Sequence, residues 1–183
     1  MPQQHSDYYY IDSVLSGNRN DYKYLVERHS GMSYSVALKI VKNETEAEEI
    51  VQEAFIKAYN VLHTFKKKSK FSTWLYRIVY NMAINHSNSR VHKNLYDDNS
   101  EIKDNLLYEE TELMEIDENE QTIEKLNWAV KQLPEDEQVI ITLFYNDDIS
   151  IADIAKITNL SEANVKVKLH RMRKKLYQLM TTE

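Results

Sequence analysis

Only two glycines, Gly17 and Gly31, and two prolines, Pro2 and Pro134, occur in 183 residues. A chain this poor in both can run in long helices but has few residues for tight hairpin turns. Apolar residues recur at helical spacing almost throughout. Leu25, Met32, Val36 and Ile40 mark one helix. Val51, Ala54, Phe55, Ala58 and Leu62 fall at i, i+3, i+4, i+7 and i+11, the buried stripe of a second. Thr45 with Glu48 has the spacing of a capping box that would start it. A third helix is expected from Ser72 to Asn88. Helical periodicity resumes near Thr122 with Ile123, Leu126, Val130 and Leu133. Pro134 then punctuates the chain, and Glu135, Asp136 and Glu137 suit the positive end of a new helix. The expected fold class is all-α: two small helical domains joined by an acidic flexible linker. Their expected bounds are 20–92 and 122–183, with a lead-in over 1–19 and the linker over 93–121.

The formal net charge of −6 misleads until it is divided. Residues 1–96 hold 13 Lys+Arg against 9 Asp+Glu, residues 97–124 hold 1 against 12, and residues 125–183 hold 9 against 8. The acidity therefore belongs to one segment, which has few large apolar residues and reads as a linker. The flanking parts are mildly basic, an asymmetry that points to a polyanionic partner.

Residues 150–176 read SIADIAKITNLSEANVKVKLHRMRKKL. Ser150 can cap a short helix to about Ile157, and a second helix can begin at Glu162 after a turn over 158–161. Ile154, Ala155, Leu160, Val165 and Leu169 would face inward, with Ala155 small enough for a close helix crossing. Asn159 stands in the turn, and asparagine tolerates the left-handed backbone needed there. This is the spacing of a helix-turn-helix, whose second helix enters the major groove. That helix carries Lys166, Lys168, Arg171, Arg173, Lys174 and Lys175 against the single acid Glu162. Cations near a helix C-terminus also occur for dipole reasons alone.

A second constellation lies in FKKKSKFSTWLYRIVYNMAIN, residues 65–85. Helical phase puts Arg77, Asn81, Asn85 and Asn88 on one stripe, with Leu75, Ile78, Val79 and Met82 opposite. Guanidinium and amide groups read base edges bidentately. Upstream, Phe65 and Phe71 frame Lys66, Lys67, Lys68 and Lys70, a pattern in which cations attract phosphates and aromatics stack on unpaired bases. On the residues alone a second account stands beside this one: Phe65, Phe71 and Trp74 as core, and the asparagines as solvated surface.

Four segments occur in order: TEAEEIVQEAFIKAYNVL, then FKKKSKFSTWLYRIVYNMAIN, then LPEDEQVIITLFY, then the helix-turn-helix ending VKVKLHRMRKKL. Together they resemble a bacterial RNA polymerase sigma factor of the extracytoplasmic-function group, over about Gly17 to Leu176. The resemblance implies that the first domain is a region 2 helical bundle, which binds core RNA polymerase and recognises and opens the −10 element. It implies that the second is a region 4 helix-turn-helix reading the −35 element. Glu46, Glu49, Gln52 and Glu53 match the family's positions for polymerase contact. Residues Phe65, Lys66, Lys67, Lys68, Ser69, Lys70 and Phe71 match the loop that holds a base flipped from the non-template single strand. Arg77, Asn81 and Asn85 would read the neighbouring bases. Many members have a Gly-containing version of this loop, so the preferred base is not fixed by the match. Asn164, Lys166, Val167, Lys168, Arg171, Arg173 and Lys174 match the helix that reads the −35 duplex. Val167 stands where many members have a small polar residue. The acidic linker resembles the family segment that threads the polymerase cleft, where its charge could mimic RNA; a solubilising tether is the other account. An anti-sigma factor is typical of the group and is the further partner implied.

Other classes are not expected. Six histidines, His5, His29, His63, His86, His92 and His170, are scattered without metal-ligand spacing. Two glycines cannot build a phosphate loop, and no catalytic triad stands out. No enzyme activity, catalytic residue, metal or cofactor is therefore expected, and RNA synthesis would belong to the polymerase. The N-terminus has no basic start and apolar core of a secretory signal. No run of about 18 apolar residues predicts a membrane span. The expected location is the bacterial cytoplasm, with retention at the inner membrane only through an anti-sigma factor. The alternative function is a helix-turn-helix transcription regulator that does not join RNA polymerase; it leaves Thr73–Asn85 and the 46–53 face unexplained.

Overall fold

The computed structural model describes residues 5–91, 120–145 and 149–181. The predicted linker over 93–121 falls almost wholly outside them. Among the described residues there are eight α-helices and no strand. They are α1 (Asp7–Leu15), α2 (Tyr22–Val41), α3 (Glu44–Asn60), α4 (Phe71–Val91), α5 (Glu120–Lys131), α6 (Glu135–Phe144), α7 (Ile151–Thr158) and α8 (Glu162–Thr181). The all-α expectation holds, with α1–α4 forming one set of helices and α5–α8 the other.

The predicted stripes of α2, α3 and α4 lie mostly in the core, with Met32, Ile78 and Met82 half-buried, whereas of the α5 stripe only Leu133 is buried and Ile123 is 49% exposed. Leu25, Val36 and Ile40 of α2, Val51, Ala54, Phe55 and Ala58 of α3, and Leu75 and Val79 of α4 are all buried. A second group of buried residues fills the α5–α8 set, with Ile140, Leu143, Ile154, Ile157, Val165, Leu169 and Met172. The two groups are continuous, because α2 packs against α6 and α4 against α7. An exposed ion pair, Lys42 Nζ to Glu135 Oε1 at 3.0 Å, joins the same two sets.

The termini show where local sequence chemistry decides. α3 is not started by the predicted Thr45–Glu48 capping box. Asn43 is its N-cap, and its side chain accepts from the Glu46 backbone N–H at 3.0 Å. Two candidate caps stand within three residues; Asn43 has the extended backbone of an N-cap, at φ −137°, and Thr45 lies inside the helix. Pro134 is the N-cap of α6 rather than part of its first turn, while Glu135, Asp136 and Glu137 fill that turn as expected. Ser150 caps α7, accepting from Asp153 N–H at 3.2 Å. Asn159 adopts the left-handed conformation at φ 59°. Ser161 Oγ accepts from Asn164 N–H at 3.2 Å and so opens α8.

The N-terminal lead-in contains a helix not foreseen from the sequence. Ser6 caps α1, Tyr10, Ile11 and Val14 bury its inner face, and Gly17 at φ 110° turns the chain into α2. Asp7 fastens it. One carboxylate oxygen accepts from Arg28, and the other lies 2.9 Å from Nε2 of the buried His29, whose Nδ1 is 3.2 Å from the Tyr76 hydroxyl. Burial alone would raise the Asp7 carboxyl, but the hydrogen bonds and charges of His29 and Arg28 hold it below the ordinary carboxylate value. A depressed folded-state value contributes stability above the unfolded value near 3.9 that is lost as pH falls through the folded one. Asp7→Asn is therefore expected to lower stability at pH 7, by about 1–3 kcal/mol for a lost charge-assisted bond. The difference from the parent should shrink as pH drops below about 4. Urea melts at pH 7 and pH 3.5 check both the size and the direction.

Candidate nucleic-acid and polymerase interface

The segment 65–71 is held at both ends. Phe65 and Phe71 are buried, with 8% and 1% of their surfaces exposed. Their rings meet edge to face at 5.8 Å, and both lie against Trp74, at 5.3 Å and 5.7 Å. This corrects the expectation that they frame the loop as stacking aromatics. Packed against Trp74 and each other, the two rings have little surface left for a base to stack on. What lies between them is a short loop, 66–70, with Lys66, Lys67 and Lys68 exposed and Ser69 half-buried.

The four lysines are not equivalent. Among the described residues Lys66 and Lys68 have no ion-pair partner. Lys67 does: its ammonium pairs with Asp12 of α1 and sits 5.8 Å from the Tyr8 ring centre. Its backbone is left-handed, at φ 55°.

The predicted stripe of α4 keeps its phase. Arg77, Asn85 and Asn88 are exposed, and Asn81 is half-buried. Asn81 is occupied: its Oδ1 accepts from Asn159 Nδ2, in the turn of the helix-turn-helix, at 3.2 Å. Close by, Asp153 of α7 is hydrogen-bonded to Thr73 of α4 as well as to Ser150, at 2.7 Å. Burial would raise this carboxyl; those hydrogen bonds and the charge of Lys156 outweigh it and hold the carboxyl below its ordinary value. No sequence pattern marks contacts between residues 78 positions apart.

On α3, Glu49, Gln52 and Glu53 are exposed and lie on one side of the helix, away from the buried Val51–Phe55 stripe. Ile56, one turn beyond Gln52, is 63% exposed and extends the same side as an apolar contact. The sequence reading does not name it, since it falls outside the Val51–Leu62 stripe. Glu46 is set apart from the other three. Its Oε2 is 3.1 Å from His86 Nε2 on α4, so this carboxylate faces the neighbouring helix.

Along α8, Asn164, Lys166, Arg173 and Lys174 are exposed, and Val167, Lys168 and Arg171 are half-buried. Lys168 is engaged within its own set of helices, with Nζ 2.9 Å from Asp136 Oδ2 and 3.9 Å from Glu137 Oε1. Arg173 lies over the Phe144 ring at 5.1 Å. Both therefore have structural duties besides any contact with phosphate. Burial pushes the Glu137 carboxyl up despite Lys168. No group of three or more possible metal-ligating side chains occurs among the described residues. No helix among them is long and apolar enough to cross a membrane.

Comparison with known proteins follows this division of the chain. The family described as Sigma-70 region 2 matches residues 25–92, and that described as Sigma-70, region 4 matches residues 123–176. ECF RNA polymerase sigma factor SigW of Bacillus subtilis is 30% identical over 176 residues, covering 91% of this chain and 92% of that protein. The ECF RNA polymerase sigma-E factor of Escherichia coli K12 is 32% identical over 179 residues, covering 94% and 93%. In fold, the chain is similar to RpoE from Bartonella quintana, solved in complex with the anti-sigma factor NepR. That likeness has a TM-score of 0.65 at 18% identity, over 89% of this chain and 98% of the other.

The aromatic cluster carries a test. Phe71→Ala is expected to cost about 3–5 kcal/mol, as for other buried phenylalanines. Thermal unfolding followed by circular dichroism reads it, and a loss under about 1 kcal/mol would return Phe71 to the surface.

Proposed function

The chain belongs to the extracytoplasmic-function group of the sigma-70 family, initiation factors that direct core RNA polymerase to promoters, and from that premise we propose which surface does what. Glu49, Gln52 and Glu53 of α3 meet the polymerase. Lys66 and Lys68, with Arg77, Asn81 and Asn85 of α4, take the −10 element and its displaced non-template strand. Asn164, Lys166 and Arg171 of α8 read the −35 duplex, while Arg173 and Lys174 follow phosphates. The observation that carries this reading is the segregation of exposed charge. Carboxylates crowd one side of α3, whereas the loop 66–70 and α8, at Lys166, Arg173, Lys174 and Lys175, present cations. Catalysis belongs to the polymerase, and the protein works in the cytoplasm. The relative solved with an anti-sigma factor supports a similar protein partner here, one that masks these same faces.

Two experiments test the assignment. In vitro transcription with core polymerase on a genomic library, with start-site mapping, should return a small set of promoters with common −10 and −35 sequences. Glu49→Lys combined with Gln52→Lys should leave the fold intact, since exposed substitutions usually move stability by under about 0.5 kcal/mol. Its affinity for core polymerase should fall at least about tenfold, because a reversed charge costs several kcal/mol where like charges then meet. Unchanged affinity in a pull-down titration would remove the interface from α3.

The packed arrangement of α7 on α4 bears on the same reading. The two promoter elements are centred roughly 25 base pairs apart, about 85 Å of duplex at 3.4 Å per pair. Asn81 and Asn159 are 3.2 Å apart. A chain that reads both elements at once must therefore carry α7 away from α4. Residues 92–119 can reach up to about 95 Å fully drawn out, so the chain length permits it. The chain has no cysteine, so Lys42→Cys with Glu135→Cys, joined by a reducible bismaleimide, locks the two sets of helices without side reactions. The locked protein should lose promoter-dependent transcription by about tenfold or more, because apparent affinity falls with the fraction of the competent state. Reduction should restore it. Equal activity before and after reduction would show that the contact does not need to open.

A further inference from the structure

The family match begins at residue 25, so nothing in it assigns a role to α1. Yet α1 touches the basic loop through two of its side chains. The Tyr8 ring stacks near-parallel on Phe65, with centroids 6.4 Å apart and planes at 18°. Its hydroxyl donates to the Ser69 carbonyl at 3.3 Å. The same ring lies under the Lys67 ammonium, and Asp12, one turn along α1, pairs with that ammonium. Beside the loop a cleft of about 660 Å³ opens, lined by Tyr8 of α1, Arg28 of α2, Lys70 of the loop, Ser72 of α4 and, from the other set, Ile149, among others. That volume suits a small ligand such as one nucleotide.

We propose that α1 is a wall of the strand-capture site, and that Tyr8 and Asp12 are positioning residues that hold loop 66–70 in the shape that receives an unpaired base of the non-template strand. The proposal rests on the reading of this loop given above. Its physical basis is preorganisation. Four lysines within five residues repel one another, and Lys67 holds a backbone conformation that side-chain-bearing residues seldom adopt. Left alone, such a loop would sample many shapes, and capturing a base would have to select one. Asp12 neutralises the central cation and Tyr8 fixes the backbone at Ser69. Helix α1 can do this because it is itself rigidly seated. Tyr10, Ile11 and Val14 are buried, Asp7 is bonded to Arg28 and His29, and Ser13 Oγ donates to Asp21 at 2.6 Å. Lys66 and Lys68 are then left pointing outward for the phosphates on either side of the captured base. Of the phenyl rings that line the cleft, Phe71 and Tyr76 are buried and Tyr8 is 39% exposed.

The test uses holoenzyme made from the full-length chain and a promoter mapped by in vitro transcription. The probe is a single-stranded DNA of that promoter's non-template −10 sequence. Asp12→Ala and Tyr8→Phe should each weaken its binding about threefold to tenfold, the worth of one lost pair or hydrogen bond, and Tyr8→Ala by more. All three should flatten the preference for the captured base when that position of the probe is varied. Affinity for core polymerase and for −35 duplex should stay at the parental level, as should the melting temperature of Asp12→Ala, whose side chain is 60% exposed. A Lys66→Ser, Lys68→Ser variant is measured alongside. If the lysine variant loses strand binding while the α1 variants keep affinity and base preference, the α1 proposal is wrong and the loop reading survives. If neither loses it, both are wrong. Should the α1 variants weaken polymerase binding and probe binding together without changing base preference, α1 is only a structural support.

Discussion

Burial of Phe65 and Phe71 at the two ends of one short loop is the constraint on which the rest depends. Each aromatic removes a large apolar surface from water and fixes one anchor point of the chain. With both anchors inside the core, the residues between them have no room to turn inward, and lysine cannot be buried there unpaired. The cations are therefore forced out on a tether too short to fold away. Trp74 extends the same cluster into α4, so the register of the polar stripe at Arg77, Asn81 and Asn85 is tied to the loop by one packed contact. The basic knot in an acidic protein is thus a consequence of where two rings go.

Much of the fold was legible because helical stripes and caps are local. Leu25 to Ile40, Val51 to Ala58, Ser150 and Asn159 each state their structure within a few residues, and all four appear as read. Legibility failed where two local answers were chemically equal or where the partner lay far away. Asn43 and Thr45 can both cap, and spacing does not choose between them. Helix α1 was hidden because Tyr8, Tyr9 and Tyr10 in succession blur any apolar face. A phenylalanine looks the same in sequence whether it packs or stacks, so the loop's aromatics were left with two accounts that only the packing separates. Glu46 kept the spacing of a surface acid, but His86, 40 positions on, draws it toward α4. The pairing of Asn81 with Asn159 leaves no periodic trace at all.

The first turn of α6 shows how the two sets of helices can be both joined and separable. Three successive acids stand there, and the helix dipole accounts for their presence but not for their partners. Asp136 and Glu137 hold Lys168 of α8, an interaction internal to the α5–α8 set. Glu135 reaches instead to Lys42 at the end of α2 and so crosses between sets. The crossing pair is exposed on both sides, 57% and 44%, and such pairs contribute about 0–1 kcal/mol. The single amide–amide bond between Asn81 and Asn159 is worth about as much. The hydrogen bond of Thr73 on α4 to the Asp153 carboxylate on α7 is the stronger polar link between the sets, about 1.5–3 kcal/mol for a bond to a charged group, and the apolar contact of α2 with α6 and of α4 with α7 adds to it. An apolar contact of this kind has no strict directional requirement, so a partner that offers each face an equivalent surface can replace it at little net cost. The pair at Lys168 lies wholly within the α5–α8 set, so such an exchange does not require it to break.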